Sequence, residues 1–406
     1  MKETKVQALF NTIGNSVYLA ALWFLSVITT QVLGYKDVGD LTLAMTIGNI
    51  VILLQLYGVR GIQSSDMDFK YSPSLYLKSR LFTVSIGILI GISISVLLGY
   101  SQEQVIAIFL FIMFKSSEAI SDVFYGDDQR MGKLELAGYS LFLRGLVTGS
   151  LFLFGLYHFK NLNISLLLIV GSGFILTLLI DYPIYKKTIV NFESTSGKIV
   201  DILKECFPLL ITTLIPAIIT AVPRVVLAYW HGTEQLGYYG NLSTPALVLV
   251  TFVPNFLIAF LPQYGKMFIS SDYRGIIKLW YKSLFGTLLL SCIFLFGVFL
   301  VGRIVLTFLY TNMILPYVHF LYYVIIVMGI YSMEICCATV LVAMRERKIL
   351  TIAALYSLIA CLIVSVPLVK SYGISGAIAV LAISYSIQVI IQVLCIVRVC
   401  TVQKAL

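Results

Sequence analysis

The stretch KSSEAISDVFYGDDQRMGKLELAGYSLFLRG, Lys115 to Gly145, decides how the chain is read. Apolar sequence enters it as IAIFLFIMF and leaves it as LVTGSLFLFGLY. Between these runs Lys115, Glu118 and Asp122 are spaced i, i+3 and i+7, which puts them on one face of a helix. Arg130 and Lys133 follow in a short loop, and Arg144 sits inside the next apolar run. Charges at that depth are costly in hydrocarbon, so they must face protein, water or a ligand.

Working outward, composition supplies the setting. Hydrophobic residues make up 59% of the 406 and charged residues 12%, with a mean hydropathy of +0.97. A soluble domain carries about 25% charged residues. Long stretches are free of charge, among them Val6–Tyr35, Leu81–Gln102, Ser283–Gly302 and Ser371–Val397. Each crosses a core of about 30 Å as a helix. Alternating barrel strands are absent, so the reading is an all-α polytopic membrane protein.

Twelve spans are expected, roughly 8–33, 40–58, 80–99, 103–126, 136–157, 163–185, 206–230, 237–262, 279–301, 317–343, 350–369 and 373–397. Of the 28 Lys and Arg, Lys36, Lys160, Arg303 and Lys370 fall outside if the N-terminus is cytoplasmic, and Lys115, Arg144 and Arg224 fall within spans. The others all fall inside, which puts both termini in the cytoplasm. Cytoplasmic lysines such as Lys186, Lys187, Lys198 and Lys204 also suit the headgroups of anionic membrane lipids.

The chain repeats itself. Gly34-x4-Gly39 recurs as Gly232-x4-Gly237, Glu118 as Glu334, and Tyr139-Ser140 as Tyr356-Ser357. Two six-helix lobes are expected, residues 1–190 and 204–406, joined by a cytoplasmic linker over 191–203. An even number of helices per lobe makes the repeats parallel, a pattern of transporters. Pro208, Pro216, Pro223, Pro245, Pro254 and Pro262 crowd the seventh and eighth spans, where they mark kinks or a cavity wall.

Several side chains carry two readings. Arg224 follows Pro223 in the seventh span with no acid near it, and either snorkels to headgroups or contacts an anion. Arg144 and Glu118 lie at similar depth and make either an ion pair or separate ligands. Glu118, Asp122 and Glu334 are candidates for ion coupling or for structural ion pairs. Asn11, Asn15 and Tyr18 share a stripe on the first helix, as Gln388 and Gln392 do on the last. Such stripes serve interhelical hydrogen bonds or substrate. The seven cysteines, none in a CxxC, read as packing residues rather than metal ligands. No Walker or Rossmann glycine motif appears, so an ATP motor would have to come from a partner.

Lys115-x2-Glu118-x3-Asp122, Gly126, Arg130-Met131 and Leu143-Arg144-Gly145-Leu146 resemble the bacterial O-antigen and capsule repeat-unit flippases. So does VPRVVLAYWHGTEQLGYYGNLSTP, 222 to 245, with its proline-arginine and glycine loop. The resemblance implies the multidrug/oligosaccharidyl-lipid/polysaccharide exporter superfamily and its MATE-like fold. It implies a non-enzymatic flippase of undecaprenyl-diphosphate-linked oligosaccharides in the bacterial cytoplasmic membrane, working by alternating access. No cofactor and no nucleic acid is expected. A coupling cation (proton or sodium), a polysaccharide polymerase and a chain-length regulator are the implied partners. Arg224, Arg144, Lys115, Asn11 and Asn15 are the expected substrate contacts. Two rivals stay open: a cation-coupled multidrug antiporter of the same superfamily, and a flippase for peptidoglycan or teichoic acid precursors. Intramembrane Lys and Arg are poor hosts for organic cations, and the long outer loop that a glycosyltransferase needs is missing.

Overall fold

The computed structural model describes residues 2–189 and 197–402. Residues 191–196 of the expected linker lie outside the described residues. Among the described residues the chain is helical throughout, with no strands. The charge-free runs set the helices, and turn chemistry sets their ends. Helix α1 (Lys2–Val32) stops before Gly34, whose φ of 96° suits glycine, and α2 (Tyr35–Leu56) follows. After the short α3 (Val59–Gln63), Ser72 caps α4 (Pro73–Leu97), with proline in its first turn. Ser101 and Gln104 form a capping box for α5 (Gln102–Arg130). Then come α6 (Leu134–Phe159) and α7 (Leu162–Leu176), which runs through a π-helical turn at Thr177–Asp181 into α8 (Tyr182–Thr188).

The second half begins with the 45-residue α9 (Ile199–Ser243), interrupted at Gly232. Helices α10 (Leu247–Ile258), α11 (Leu261–Ile269) and α12 (Tyr273–Tyr310) follow. A 3-10 turn leads to α13 (Val318–Ala343), and α14 (Arg347–Val402) is interrupted at Gly373. Ten helices among the described residues are long and apolar enough to span a membrane, and the chain is a multi-pass membrane protein. The expected count was twelve separate spans. Two of the ten are interrupted by a residue outside helical geometry, Gly232 between the expected seventh and eighth spans and Gly373 between the eleventh and twelfth. Gly232 has φ 82°, the counterpart of Gly34 in the repeat.

The chain divides into two compact units, Met1–Ala217 and Ile218–Leu406. The division falls inside α9 rather than in a loop. Its first turns pack in the first unit, where Ile202 and Cys206 join a buried cluster with Val59, Tyr71, Tyr76 and Val123. Gly58 allows this approach, since a Cβ there would lie 2.7 Å from the Leu209 Cβ. Within the first unit α5 packs against α2, α4 and α7, and α1 lies along α6. Within the second, α13 packs against α10, α12 and α14.

Glycine makes the α1–α6 contact possible. A Cβ on Gly138 would come within 2.6 Å of the Asn11 Cα, and one on Gly145 within 2.9 Å of the Tyr18 Cα. Small residues at such crossings let helix backbones meet in a membrane, where no hydrophobic force separates helix from lipid. Gly138→Val should therefore lower stability by about 1–3 kcal/mol, the usual cost of overpacking. Gly171→Ala, where a Cβ meets open space, should leave it unchanged or raised. Thermal unfolding in detergent micelles reads both.

Candidate functional site

Helix α5 carries its charges toward three neighbours. The Lys115 Nζ donates to both Glu118 carboxylate oxygens at 3.0 Å and to the Tyr18 hydroxyl of α1 at 3.1 Å. The Tyr18 hydroxyl in turn donates to Glu118. Lys115 is buried, with the Phe111 and Phe114 ring centres each 5.6 Å from its ammonium. Asp122, one turn further on, accepts from Arg60 and from Arg80, each at 3.0 Å. Arg80 is fully buried and also donates to the Gln55 carbonyl at 2.6 Å.

The expected Glu118–Arg144 pair is not made. Arg144, 1% exposed, instead pairs with Asp181 at 3.1 Å and donates to Ser117, Ser121 and Thr177 at 2.8–3.0 Å. Asp181 also accepts from Ser121 at 2.6 Å, from Tyr125 at 3.3 Å and from Ser140. Helical geometry explains the exchange. Ser117 and Ser121, four residues apart, share the face of α5 that meets α6 and α7, whereas Glu118 lies about 100° further round and meets α1. The π-helical turn ends at Asp181 and presents it to Arg144.

Asp181 was not singled out from sequence. It closes an apolar run just before Lys186 and Lys187, where a lone acid reads as an ordinary headgroup-level residue. The motif residues Gly126 and Arg130 have a structural task. Gly126 leaves room for Gln63, which donates to the Val123 carbonyl at 3.0 Å. Arg130 lies 2.8 Å from Asp127 and 3.5 Å from Asp66, with its guanidinium 4.1 Å from the Phe69 ring centre. Asp66 in turn accepts from the backbone of Lys70 and Tyr71 and from the Tyr76 hydroxyl, so Arg130 pins the turn between α3 and α4.

The second unit is arranged differently. Ser357, the counterpart of Ser140, accepts from Gln388 at 3.0 Å and donates to the Ser384 carbonyl at 2.7 Å. The polar contact recurs there with an amide in place of the ion pair. Glu334, the counterpart of Glu118, accepts from Gln392 at 2.7 Å and has no cation partner among the described residues. Arg224 is half-buried in α9, with its guanidinium 5.8 Å from the Tyr239 ring centre. Its Nε is buried without a hydrogen-bond partner, and no described carboxylate pairs with it. Asn11 is half-buried beside α6 and Asn15 is exposed; neither side chain bonds to a described residue.

Four likenesses to known proteins bear on this arrangement. A family model described as polysaccharide biosynthesis protein matches residues 7–268. The capsular polysaccharide biosynthesis protein CapF of Staphylococcus aureus is 26% identical over 366 residues, covering 87% of this chain and 89% of CapF. Among solved structures, an inward-facing multidrug resistance MATE family transporter of the MOP superfamily matches 98% of this chain and 99% of its own, at 13% identity and TM-score 0.77. Lipid II flippase MurJ matches 96% of this chain and 87% of its own, at 14% identity and TM-score 0.71. At these identities the two structures establish the fold.

The Arg144–Asp181 pair should behave as a coupled unit. Arg144→Gln or Asp181→Asn alone should cost about 3–5 kcal/mol, because each strands a buried charge. The double substitution should cost less than the sum. Glu118→Gln combined with Arg144→Gln should come closer to additivity, since those side chains are not partners. Denaturation of each variant in detergent is the measurement.

Proposed function

We propose that this chain, which belongs to the polysaccharide biosynthesis protein family, moves undecaprenyl-diphosphate-linked oligosaccharide repeat units across the bacterial cytoplasmic membrane by alternating access. Its product would feed capsule or O-antigen assembly, with a polymerase and a chain-length regulator acting downstream. In this reading both termini are cytoplasmic, and residues 1–190 and 204–406 form the two lobes. The coarse part of the reading, a transporter-type membrane protein rather than an enzyme, rests on the family match and the fold.

One observation carries the substrate assignment. Of the three intramembrane cations singled out from sequence, Lys115 and Arg144 already hold acids, and Arg224 does not. A guanidinium with no described acid partner in a membrane helix calls for an anion, and it grips phosphate oxygens through two parallel N–H bonds. A diphosphate headgroup meets that need, whereas an organic cation would be repelled. Lys115 and Arg144 then shape the first unit rather than touch substrate. Glu334 takes the coupling role in preference to Glu118 and Asp122, whose carboxylates are held by Lys and Arg.

Export of surface polysaccharide, with membrane levels of each variant matched, is the test. Arg224→Ala should lose export by about tenfold to a hundredfold, the worth of hydrogen bonds to a charged group. Arg224→Lys should keep a fraction, because an ammonium lacks the planar fork. Full export by Arg224→Ala would return this arginine to headgroup snorkelling. Glu334→Gln should remove the dependence of transport on the ion gradient, and Glu118→Gln should not.

A further inference from the structure

Helix α12 is unusual in how little of it the protein covers. Its buried side chains before Gly302 are Ile276, Trp280, Ser283 and Thr287, spaced i+4, i+3 and i+4 along one face. On the opposite face the sequence repeats Arg274, Lys278, Lys282, Phe285, Leu289, Ile293, Phe296 and Leu300. All are exposed, and they fall within about 100° of one another around the axis at 3.6 residues per turn. The apolar part of this stripe is a wall for lipid, since an aqueous path would be lined by polar groups. The three cations at its beginning therefore point the same way as the lipid-facing phenylalanines.

Their depth matches the headgroup layer. The charge-free run Ser283–Gly302 is about 30 Å long as a helix, the thickness of the hydrocarbon core. Lys282 stands at its edge, and Lys278 and Arg274 lie about 6 and 12 Å beyond it. Charge asymmetry assigns this end of α12 to the cytoplasm. Asp272 is the one acid between Gln235 and Met333, and its carboxylate accepts from the Gly275 backbone at 2.8 Å. None of the three cations pairs with a described carboxylate.

We infer that Arg274, Lys278 and Lys282 form a binding stripe for anionic phospholipid headgroups of the cytoplasmic leaflet, with the acyl chains lying along Phe285 and Leu289. A basic patch that only set topology would have no reason to share the azimuth of the lipid-facing residues. This stripe keeps one row of cations in line with one row of exposed apolar side chains, which is the geometry of a phospholipid standing against a helix. The second unit, by this inference, carries its own fixed annular lipids whatever substrate the protein moves.

The full chain, purified and titrated with phosphatidylglycerol in mixed micelles, should bind it more tightly than phosphatidylcholine. Each of Arg274→Gln, Lys278→Gln and Lys282→Gln should weaken that preference by about fivefold, the contribution of one cation near an anionic surface. Unchanged preference in the triple variant, with its melting temperature in phosphatidylcholine preserved, would overturn the inference. On the unaltered protein, photoactivatable phosphatidylglycerol should label residues near 274–289, and labelling only elsewhere would also overturn it. Inorganic pyrophosphate should not compete; full competition would give the stripe to a diphosphate instead.

Discussion

A charge inside a bilayer has few stable places to go, and the first unit of this protein is assembled around finding them. Helix α5 is the hub. Lys115 and Glu118 bond it to Tyr18 of α1, Asp122 bonds it to Arg60 and Arg80, and Ser117 and Ser121 bond it to the Arg144–Asp181 pair. Each link replaces water that the hydrocarbon cannot supply, so each also fixes which helix face meets which. Glycines then let the backbones come close enough for the links to form. Gly173 lies against Ser117, and Gly138 against Asn11.

The repeat keeps this plan in the second unit but changes its chemistry. Tyr139 and Tyr356 are both exposed, and Ser140 and Ser357 are both buried, so the helices present corresponding faces. Where Ser140 meets a carboxylate paired with arginine, Ser357 meets an amide and a carbonyl. The Arg144 position corresponds to Cys361, whose thiol meets the Ile219 carbonyl. Neutral groups hold those helices together. The charges that remain there, Arg224 and Glu334, are not consumed by packing.

Most of the fold was legible because long charge-free apolar runs report directly on membrane crossing. The Lys115–Glu118 contact was legible too, since residues three apart on a helix are neighbours whatever surrounds them. The partner of Arg144 was not. Depth along two helices can be counted from sequence, but the direction in which each side chain points depends on packing that the count omits. The breaks at Gly232 and Gly373 were legible, since they fall where the expected seventh and eleventh spans end. A glycine with positive φ leaves helical geometry there, as Gly34 does between α1 and α2. Ile202 was assigned to the linker and Cys206 to the second lobe, yet both pack with Val59 and Tyr76.

The most direct measurement is flipping by the purified chain in vesicles. A fluorescent undecaprenyl-diphosphate oligosaccharide would be placed in one leaflet, and its exposure to a membrane-impermeant quencher followed over time. The account predicts that the protein speeds exchange of this lipid, that Arg224→Ala abolishes the gain, and that organic cations neither cross nor compete. Efflux of an organic cation with no exchange of the diphosphate lipid would contradict it.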